Sequence, residues 1–390
     1  MLLAAAGGVL CGLLAPELAA KLGFLSSIFL RLIRSIIGPV LVGVLVRAIA
    51  GAGSLGNLGR LGWKSVVYFE VATTLALLMG WFTVTAWQPG AGLSLPADAG
   101  AAPSSTGLGE ALESAVPVSI IDALARGDVL QIVVFCFLFG AACLAAGEKA
   151  RPIVALADSL AEVAFRYVDY VMLLAPPAVF AALANTVADG GRETLEGLAQ
   201  FIAAAWFAQV FFLLVVLVGG LAWAGVPLGR FVHFAREPFL IAFATTSSAA
   251  ALPQTLENME RFGIPKRILG VVAPLSLSLN LNGSTIHLAM AALFVAQAAG
   301  IELSFERQLV ILLTLKLTSK GVAGIPRANF VILTALFESQ GLPLAGLTML
   351  LGVDALIDPV RTSVNVVSHC AAPAVVTRWE GESFSPPRNS

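Results

Sequence analysis

The sequence predicts an all-α polytopic membrane protein with eight transmembrane helices and two re-entrant helical hairpins. Of its 390 residues, 58% are hydrophobic and only 12% are charged, whereas a soluble domain has about 25% charged residues. The second observation is a series of long apolar runs, and the third is a polar stripe inside the last of them. Together they indicate a chain embedded in a lipid bilayer. The net charge of −1 gives no reason to expect nucleic acid as a partner.

Eight apolar runs are near or above the length of ~20 residues that crosses a bilayer. They lie near residues 1–15, 24–50, 63–87, 117–146, 155–188, 197–226, 262–299 and 345–377. Most basic residues of the connecting segments fall on one side, which predicts that both termini are cytoplasmic. The segment 89–116 is rich in Ala, Gly, Pro and Ser and lacks Lys and Arg, so it is predicted to be an external loop.

Two further apolar stretches are interrupted, and each precedes a long apolar run. Residues 240–254 carry four consecutive hydroxyl side chains before Pro253, and residues 317–327 carry two glycines and Pro326. Non-helical backbone at membrane depth is tolerated only where protein covers it or where it lines a cavity. We therefore expect two facing re-entrant hairpins whose helix N-termini present N–H groups to an anion. Ordinary proline-kinked spans are the alternative.

A third interruption lies within residues 274–285, where Asn280, Asn282 and Gly283 follow two serines in an apolar run. These residue types favour local unwinding. Freed carbonyls and amide oxygens suit a hard monovalent cation. Hydrogen bonding between membrane helices is the alternative interpretation.

The polar stripe lies on the last apolar run. At about 100° per residue, its members fall within an arc of roughly 100° on a helix; they are Asp354, Asp358, Arg361, Thr362, Asn365 and His369. Ionisable groups at membrane depth are costly and mark a solute or ion pathway by default. Two membrane aspartates also suggest an intramembrane aspartyl protease. However, Asp354 and Asp358 are about 6 Å apart along one helix axis, whereas a catalytic dyad holds its acids about 3 Å apart.

These motifs resemble those of the glutamate transporter family, the dicarboxylate/amino acid:cation symporters, over essentially the whole chain. Residues 251–253 and 319–326 resemble the tips of its two hairpins, and 280–284 occupies the place of its Asn-Met-Asp-Gly-Thr signature. Residues 354–365 are similar to the last helix of its amino-acid branch. Residues 68–74 resemble the third helix of its bacterial members.

The resemblance implies an elevator-type transporter with inverted-repeat elements, assembled as a homotrimer in a bacterial inner membrane. A central scaffold would hold three independent transport domains. The implied segments are scaffold helices 1 and 2 (1–62), transport-domain helix 3 (63–88), the external loop (89–116), scaffold helices 4 and 5 (117–190), the rest of the transport domain (191–378, with helix 6, hairpin 1, helix 7, hairpin 2 and helix 8) and a cytoplasmic tail (379–390).

Carried over by position, the resemblance implies a binding site for L-aspartate or L-glutamate. Arg361 would receive the substrate's side-chain carboxylate, Asp358 would receive its ammonium group, and Asp354 would brace Arg361. The other implied substrate-binding residues are Ser247, Ser248, Ser284, Gly324, Thr362 and Asn365. A C4-dicarboxylate is the alternative substrate, although family members that carry dicarboxylates lack the acid at position 358.

The coupling ion is less defined, because the chain departs from the family pattern at its cation sites. The candidate cation or coupling residues are Glu70, Thr73, Ser276, Ser278, Asn280, Asn282, Ser319, Lys320, Val322, Asn365 and His369. Asn282 replaces a signature acid, and loss of formal negative charge weakens sodium binding. Three hypotheses follow: protons carried by Glu70 or His369, a reduced number of sodium ions, or no coupling.

No cofactor or transition metal is expected beyond Na⁺ or H⁺ as the coupling ion. His287 is expected to form an interhelical hydrogen bond. Lys316 and Lys320 are expected to reach toward water at the external end.

Overall fold

The computed structural model describes residues 2–51, 59–93, 95, 113, 116–319 and 328–384, and all regular structure in that part of the chain is helical. The helices are α1 (Leu2–Leu14), α2 (Pro16–Gly51), α3 (Gly59–Trp87), α4 (Ile120–Arg126), α5 (Val129–Ala146), α6 (Arg151–Met172), α7 (Ala175–Phe211), α8 (Val218–Trp223), α9 (Leu228–Thr245), α10 (Ser248–Phe262), α11 (Lys266–Leu279), α12 (Asn282–Ala298), α13 (Phe305–Thr318), α14 (Ala328–Gln340) and α15 (Ala345–Trp379). The predicted all-α class is confirmed.

Among the described residues, five helical stretches are long and apolar enough to cross a membrane, judged by length and composition. They are Pro16–Arg47, Gly59–Trp87, Leu130–Met172, Glu193–Trp223 and Lys266–Ala298. These stretches agree with a multi-pass membrane protein. The count of eight spans and the division into scaffold and transport domains remain predictions.

The prediction of one span over residues 155–188 is wrong, because α6 ends at Met172 and α7 begins at Ala175. The first turn of α7 contains Pro176 and Pro177. Proline is well placed at a helix start, since its missing N–H has no intrahelical acceptor there. These prolines therefore mark the start of a new helix.

The predicted span 117–146 is also divided. Gly127 ends α4 in the left-handed conformation at φ 71°, and the Asp128 side chain caps α5 by accepting from the Gln131 N–H. Glycine adopts this conformation without the steric cost of a Cβ. A glycine followed by an N-cap aspartate thus separates two helices within one apolar run.

The first interrupted segment folds as predicted, as two packed helices joined by a tight turn. Thr246 ends α9 in the left-handed conformation at φ 51°. Ser247 then caps α10, and its Oγ accepts from the Ala250 N–H at 3.2 Å. This cap satisfies one of the free N–H groups at the start of α10. The hairpin therefore presents a helix N-terminus at its tip.

The third interruption is also present. The helical path breaks between α11 and α12 at Asn280 and Leu281, which confirms the predicted unwinding. Helices α13 and α14 flank the second interrupted segment, but its predicted tip residues 320–327 lie outside the described residues, so the second hairpin stays a prediction. The positions Lys320, Val322 and Gly324 are therefore without a structural description.

Helix α15 is the element on which the candidate site is built. It packs against α7, α9, α10, α11 and α12, and most of its residues from Gly346 to Thr377 are buried. Pro359 and Pro373 lie within it. A mostly buried helix must pair its polar side chains with neighbouring helices. The polar stripe therefore faces protein over most of its length.

Candidate functional site

An arginine between two carboxylates forms the centre of the site. Arg361 is 3% exposed; its Nη1 donates to Asp354 Oδ1 and its Nη2 donates to Asp358 Oδ1, both at 2.6 Å. Thr362 Oγ1 donates to the same Asp358 oxygen at 2.9 Å. Short charge-assisted bonds to both arms fix the guanidinium plane. The bracing of Arg361 that the resemblance implied for Asp354 is present in the structure.

This cluster of Asp354, Asp358 and Arg361 has two carboxylates and one guanidinium. Arginine keeps its charge in proteins, and its fork matches a carboxylate. Asp354 is buried, whereas the side chain of Asp358 is 18% exposed. The more accessible acid has only one charged partner in the cluster, which leaves it able to receive a cationic group. The arrangement can hold a ligand that carries both an anionic and a cationic group.

The start of α12 lies directly against this part of α15. Ser284 and Asn365 are bonded twice, through Asn365 Nδ2 to Ser284 Oγ at 3.0 Å and the Ser284 N–H to Asn365 Oδ1 at 3.2 Å. Gly283 makes the approach possible, because a Cβ there would collide with the Arg361 carbonyl oxygen. Gln209 of α7 donates to the Gly283 carbonyl at 2.8 Å. The unwound segment is therefore fixed from two sides.

A second polar network links the break between α11 and α12 to the end of the stripe. Asn280 Nδ2 donates to Ser276 Oγ at 3.2 Å and to the Ser368 carbonyl at 3.1 Å. Asn282 Nδ2 donates to Asn280 Oδ1 at 3.0 Å and to Ser368 Oγ at 3.1 Å. His369 Nδ1 lies 3.1 Å from Ser276 Oγ. One buried network is thus formed by Ser276, Asn280, Asn282, Ser368 and His369.

This network is neutral, since none of its five side chains is a carboxylate. Asn282 Oδ1 and His369 Nε2 are buried in it without a hydrogen-bond partner among the residues that the structure describes. An unpaired amide oxygen is a ligand that a hard cation accepts. The absence of a formal negative charge from these five side chains fits a weak sodium site or none, because charge count sets much of the affinity.

Other coupling candidates lie away from this network. Lys316 of α13 donates to Thr74 Oγ1 at 2.7 Å and lies 3.2 Å from Glu70 Oε2, so Glu70 has a cationic partner. Lys316 therefore has partners inside the protein, and its reach toward water stays a prediction. Thr73 Oγ1 donates to carbonyls of its own helix, and Ser319 Oγ donates to the Lys316 carbonyl at 3.3 Å.

Ser278 is half-buried on α11 and takes no part in the network of Asn280 and Asn282.

The tip of the first hairpin lies beside α15. Ala242 and Ala251, on its two helices, pack with Val366, and Ser363 Oγ donates to the Phe239 carbonyl at 3.2 Å. Ser247 and Ser248 at the tip are half-buried. The hairpin and the stripe therefore share one region of the fold.

Three residues of this region were absent from the sequence-based site. Gln209 is the one polar side chain in the apolar run 201–218, a signal that could have found it. Ser368 adjoins the stripe but lies off its arc. The hydrogen bond expected for His287 is absent from the described part of the chain, where neither ring nitrogen has a partner and Asp354 Oδ1 is 3.8 Å from Nε2.

Helices of membrane-spanning length, an interrupted hairpin beside a broken helix, and a buried ion-paired cluster define a multi-pass membrane protein with a polar site in its interior. The family model described as the sodium:dicarboxylate symporter family matches residues 1–379. The chain belongs to this family, whose members are transporters and not enzymes. The family assignment from the sequence motifs is confirmed.

Relatives named as glutamate symporters and relatives named as dicarboxylate transport proteins are both similar to this chain over most of its length. The proton/sodium-glutamate symport protein of Bacillus caldotenax is 36% identical over 377 residues, 94% of this chain and 90% of the relative. The proton/glutamate-aspartate symporter of Escherichia coli (strain K12) is 38% identical over 366 residues, 90% of this chain and 84% of the relative. The C4-dicarboxylate transport protein of Anaeromyxobacter sp. (strain K) is 39% identical over 392 residues, 98% of this chain and 89% of the relative.

Proposed function

We propose that this protein is a secondary active transporter that moves L-aspartate and L-glutamate across a bacterial inner membrane together with a cation. The observation that carries the proposal is Arg361, held between Asp354 and Asp358 in the interior of a symporter fold. The names of the two glutamate relatives support the same substrate class. The dicarboxylate relative makes C4-dicarboxylates the second candidate.

Arg361 receives the side-chain carboxylate of the substrate. Its guanidinium offers five N–H donors and uses two of them on Asp354 and Asp358 in the structure. Asp358 receives the substrate's ammonium group. An amino acid supplies this cation and a plain dicarboxylate does not, so a dicarboxylate would leave Asp358 with Arg361 as its one cationic partner in the cluster. This difference favours amino acids.

The remaining contacts orient the substrate. Thr362 and Asn365 lie one and four residues after Arg361 and add hydrogen bonds, and Ser284 approaches the side-chain carboxylate. Ser247 and Ser248 approach the α-carboxylate from the tip of the first hairpin, where the N-terminus of α10 adds a favourable dipole. Gly324 is proposed to lie on the other side of the substrate.

The coupling ion is proposed to be a proton, with a reduced number of sodium ions as the alternative. The neutral network of Ser276, Asn280, Asn282, Ser368 and His369 supports a weak role for sodium. An uncoupled carrier is the third possibility.

The protein is proposed to assemble as a homotrimer with both termini in the cytoplasm. Its scaffold is formed by residues 1–62 and 117–190, the segments that the resemblance assigns to the family's scaffold helices 1, 2, 4 and 5. Residues 63–88 and 191–378 form a transport domain that moves like an elevator.

Uptake of labelled L-aspartate and L-glutamate into proteoliposomes tests the proposal. Sodium and proton gradients are imposed separately and together, and the uptake of labelled succinate is measured in parallel. Accumulation above equilibrium with a proton gradient alone is the expected result. Saturable exchange of labelled for unlabelled L-aspartate, absent for a passive channel, identifies a carrier. Uptake of succinate in place of both amino acids contradicts the substrate assignment, and equilibration unaffected by either gradient contradicts coupling.

A further inference from the structure

We propose that His287 is the proton-binding residue of this transporter and takes up a proton when an acidic amino acid engages Arg361. The inference rests on the proposed function, because it needs an acidic substrate at Arg361. It assigns the coupled proton to a residue outside the predicted coupling set, in which Glu70 and His369 were the proton candidates.

The position of His287 is unusual for a buried histidine. It lies in the second turn of α12, is 1% exposed, and neither ring nitrogen has a hydrogen-bond partner among the described residues. A buried polar group without a partner destabilises the fold, so its presence calls for an explanation. Its Nε2 is 3.8 Å from Asp354 Oδ1. A shift of about 1 Å would form a charge-assisted hydrogen bond between a protonated ring and this carboxylate.

Asp354 Oδ1 connects His287 with substrate binding. The same oxygen accepts from Arg361 Nη1 at 2.6 Å. When a substrate carboxylate takes up part of the Arg361 fork, Asp354 loses part of its compensation. His287 lies beside this oxygen, and within the part of the chain that the structure describes its nitrogens are uncommitted. It takes a proton from water, becomes an imidazolium, and replaces the arginine as the donor to Asp354.

The charge count favours this step. Asp354, Asp358 and Arg361 together carry one uncompensated negative charge, and an acidic amino acid adds another. Buried charges are costly unless they are paired. One proton on His287 returns the occupied site to the net charge of the empty one. The substrate and the proton therefore stabilise each other's binding, which is the thermodynamic requirement of symport.

The charged groups that act on His287 are Asp354, Asp358 and Arg361, all on α15. The centroid of the Phe201 ring, on α7, lies 6.2 Å from the centroid of the His287 ring. On α3, Gly80 lies against the carbonyl of Ile286, the residue before His287. Several charged side chains on other helices that pack against α12 are paired elsewhere. These pairs include Glu70 with Lys316, and Glu338 with Arg34.

His369 is a poorer proton site. Its Nδ1 lies 3.1 Å from the Ser276 hydroxyl, inside a network made of amides and hydroxyls. A proton there would add a buried charge with no carboxylate in the network to pair it. The Glu70 carboxylate already has Lys316 as its partner. Of the proton candidates, His287 alone lies next to the carboxylate that substrate binding affects.

Proton uptake on substrate binding tests the inference. Purified protein in weakly buffered detergent near neutral pH receives saturating L-aspartate, and a pH indicator dye counts the protons. We expect about one proton taken up per bound amino acid in the unmodified protein and none in His287→Gln. The chain has three histidines: His233→Gln, at an exposed position of α9, is the matched control that retains the uptake, and His369→Gln tests the rival proton site.

A second measurement separates proton binding from a structural role. The Kd of L-aspartate should rise with pH by up to about tenfold per unit in the unmodified protein and stay flat in His287→Gln, because a bound proton favours substrate binding. Binding without proton uptake in the unmodified protein overturns the inference and leaves the substrate assignment intact, even where the variant fails to fold. Uptake retained in His287→Gln, or lost only in His369→Gln, also overturns it. Failure of the unmodified protein to bind either amino acid overturns the proposed function and this inference with it.

Discussion

Asn365 and Ser284 bond to each other in both directions, side chain to side chain at 3.0 Å and backbone to side chain at 3.2 Å. The pair joins the last helix to the first turn after the unwound segment. Because Asn365 supplies the donor to Ser284 Oγ, the serine hydroxyl keeps its own hydrogen for a substrate carboxylate. We therefore predict that Ser284→Ala weakens L-aspartate binding about fivefold, for the loss of a hydrogen bond worth ~1 kcal/mol.

Calorimetric titration of L-aspartate checks this value. Ser339→Ala is a matched control, since the Ser339 hydroxyl donates to a carbonyl of its own helix. Equal loss in both variants would contradict the role of Ser284.

Arg361 is predicted to set the anionic specificity of the site. Arg361→Lys keeps the charge but loses the fork that bonds Asp354 and Asp358 together. We expect L-aspartate to bind about a hundredfold more weakly, because breaking a buried charged pair costs ~2–5 kcal/mol. Arg361→Cys should lose acidic substrates and admit small neutral amino acids.

Competition of unlabelled aspartate, glutamate and serine against labelled uptake measures the change. Full aspartate and glutamate binding in Arg361→Cys would disprove the site assignment.

Gly283 is predicted to tolerate no larger side chain. In Gly283→Ala the new Cβ meets the Arg361 carbonyl, so either α12 or α15 must move. We expect a loss of ~1–3 kcal/mol of stability together with weaker substrate binding. Thermal unfolding in detergent and aspartate titration measure both effects.

Gly270→Ala is the control for this substitution, because Gly270 lies inside α11 and a methyl group added there would meet open space. Its stability should stay equal or rise slightly. Unchanged binding in Gly283→Ala would show that the two helices do not need this close approach.

Sodium dependence is predicted to increase when carboxylates are restored to the neutral network. Asn282→Asp combined with His369→Asp adds formal negative charge beside the amide and hydroxyl oxygens of Asn280 and Ser276. We expect the Kd of L-aspartate to become at least about tenfold tighter in sodium chloride than in choline chloride. The unmodified protein should show a much smaller difference. Equal sodium dependence in both proteins would mean that these positions do not bind the cation.

Glu380, just after α15, is predicted to make stability depend on pH. Hydrogen bonds from Arg60 and then Lys64 lower the pKa of the Glu380 carboxyl to about 2, and Arg60 Nη2 and Lys64 Nζ each lie 2.8 Å from it. Since the folded pKa is depressed, the ionised form stabilises the fold above the usual glutamate pKa of about 4.3. That contribution is lost as the pH falls through the window from about 4 to about 2.

Glu380→Gln should therefore lower the melting temperature in detergent at neutral pH, and the difference from the unmodified protein should shrink as the pH falls through this window. Glu148→Gln is the control, because Glu148 is highly exposed and its contact with Arg151 is 3.7 Å long. A constant difference at all pH values would contradict the proposed ionic role.

The composition, the apolar runs and the polar stripe were sufficient to predict the helical membrane class. These are local properties of the sequence. The period of the apolar pattern predicts which face of a helix is buried, and Gly, Pro and clustered hydroxyl side chains predict where a helix breaks. The break at Asn280 and the hairpin turn at Thr246 were predicted for this reason. The division of residues 155–188 into two helices was missed, because hydropathy averages over a two-residue turn.

Only the tertiary structure decided which polar groups meet. The sequence placed Asp354 and Arg361 on one arc, but nothing in it indicated that Gln209 fixes the Gly283 carbonyl or that His287 lies unpaired beside Asp354. Those contacts join residues far apart in the chain, and their geometry depends on how α7, α12 and α15 pack. The stripe itself was determined by the sequence; its partners were determined by the packing of the helices around it.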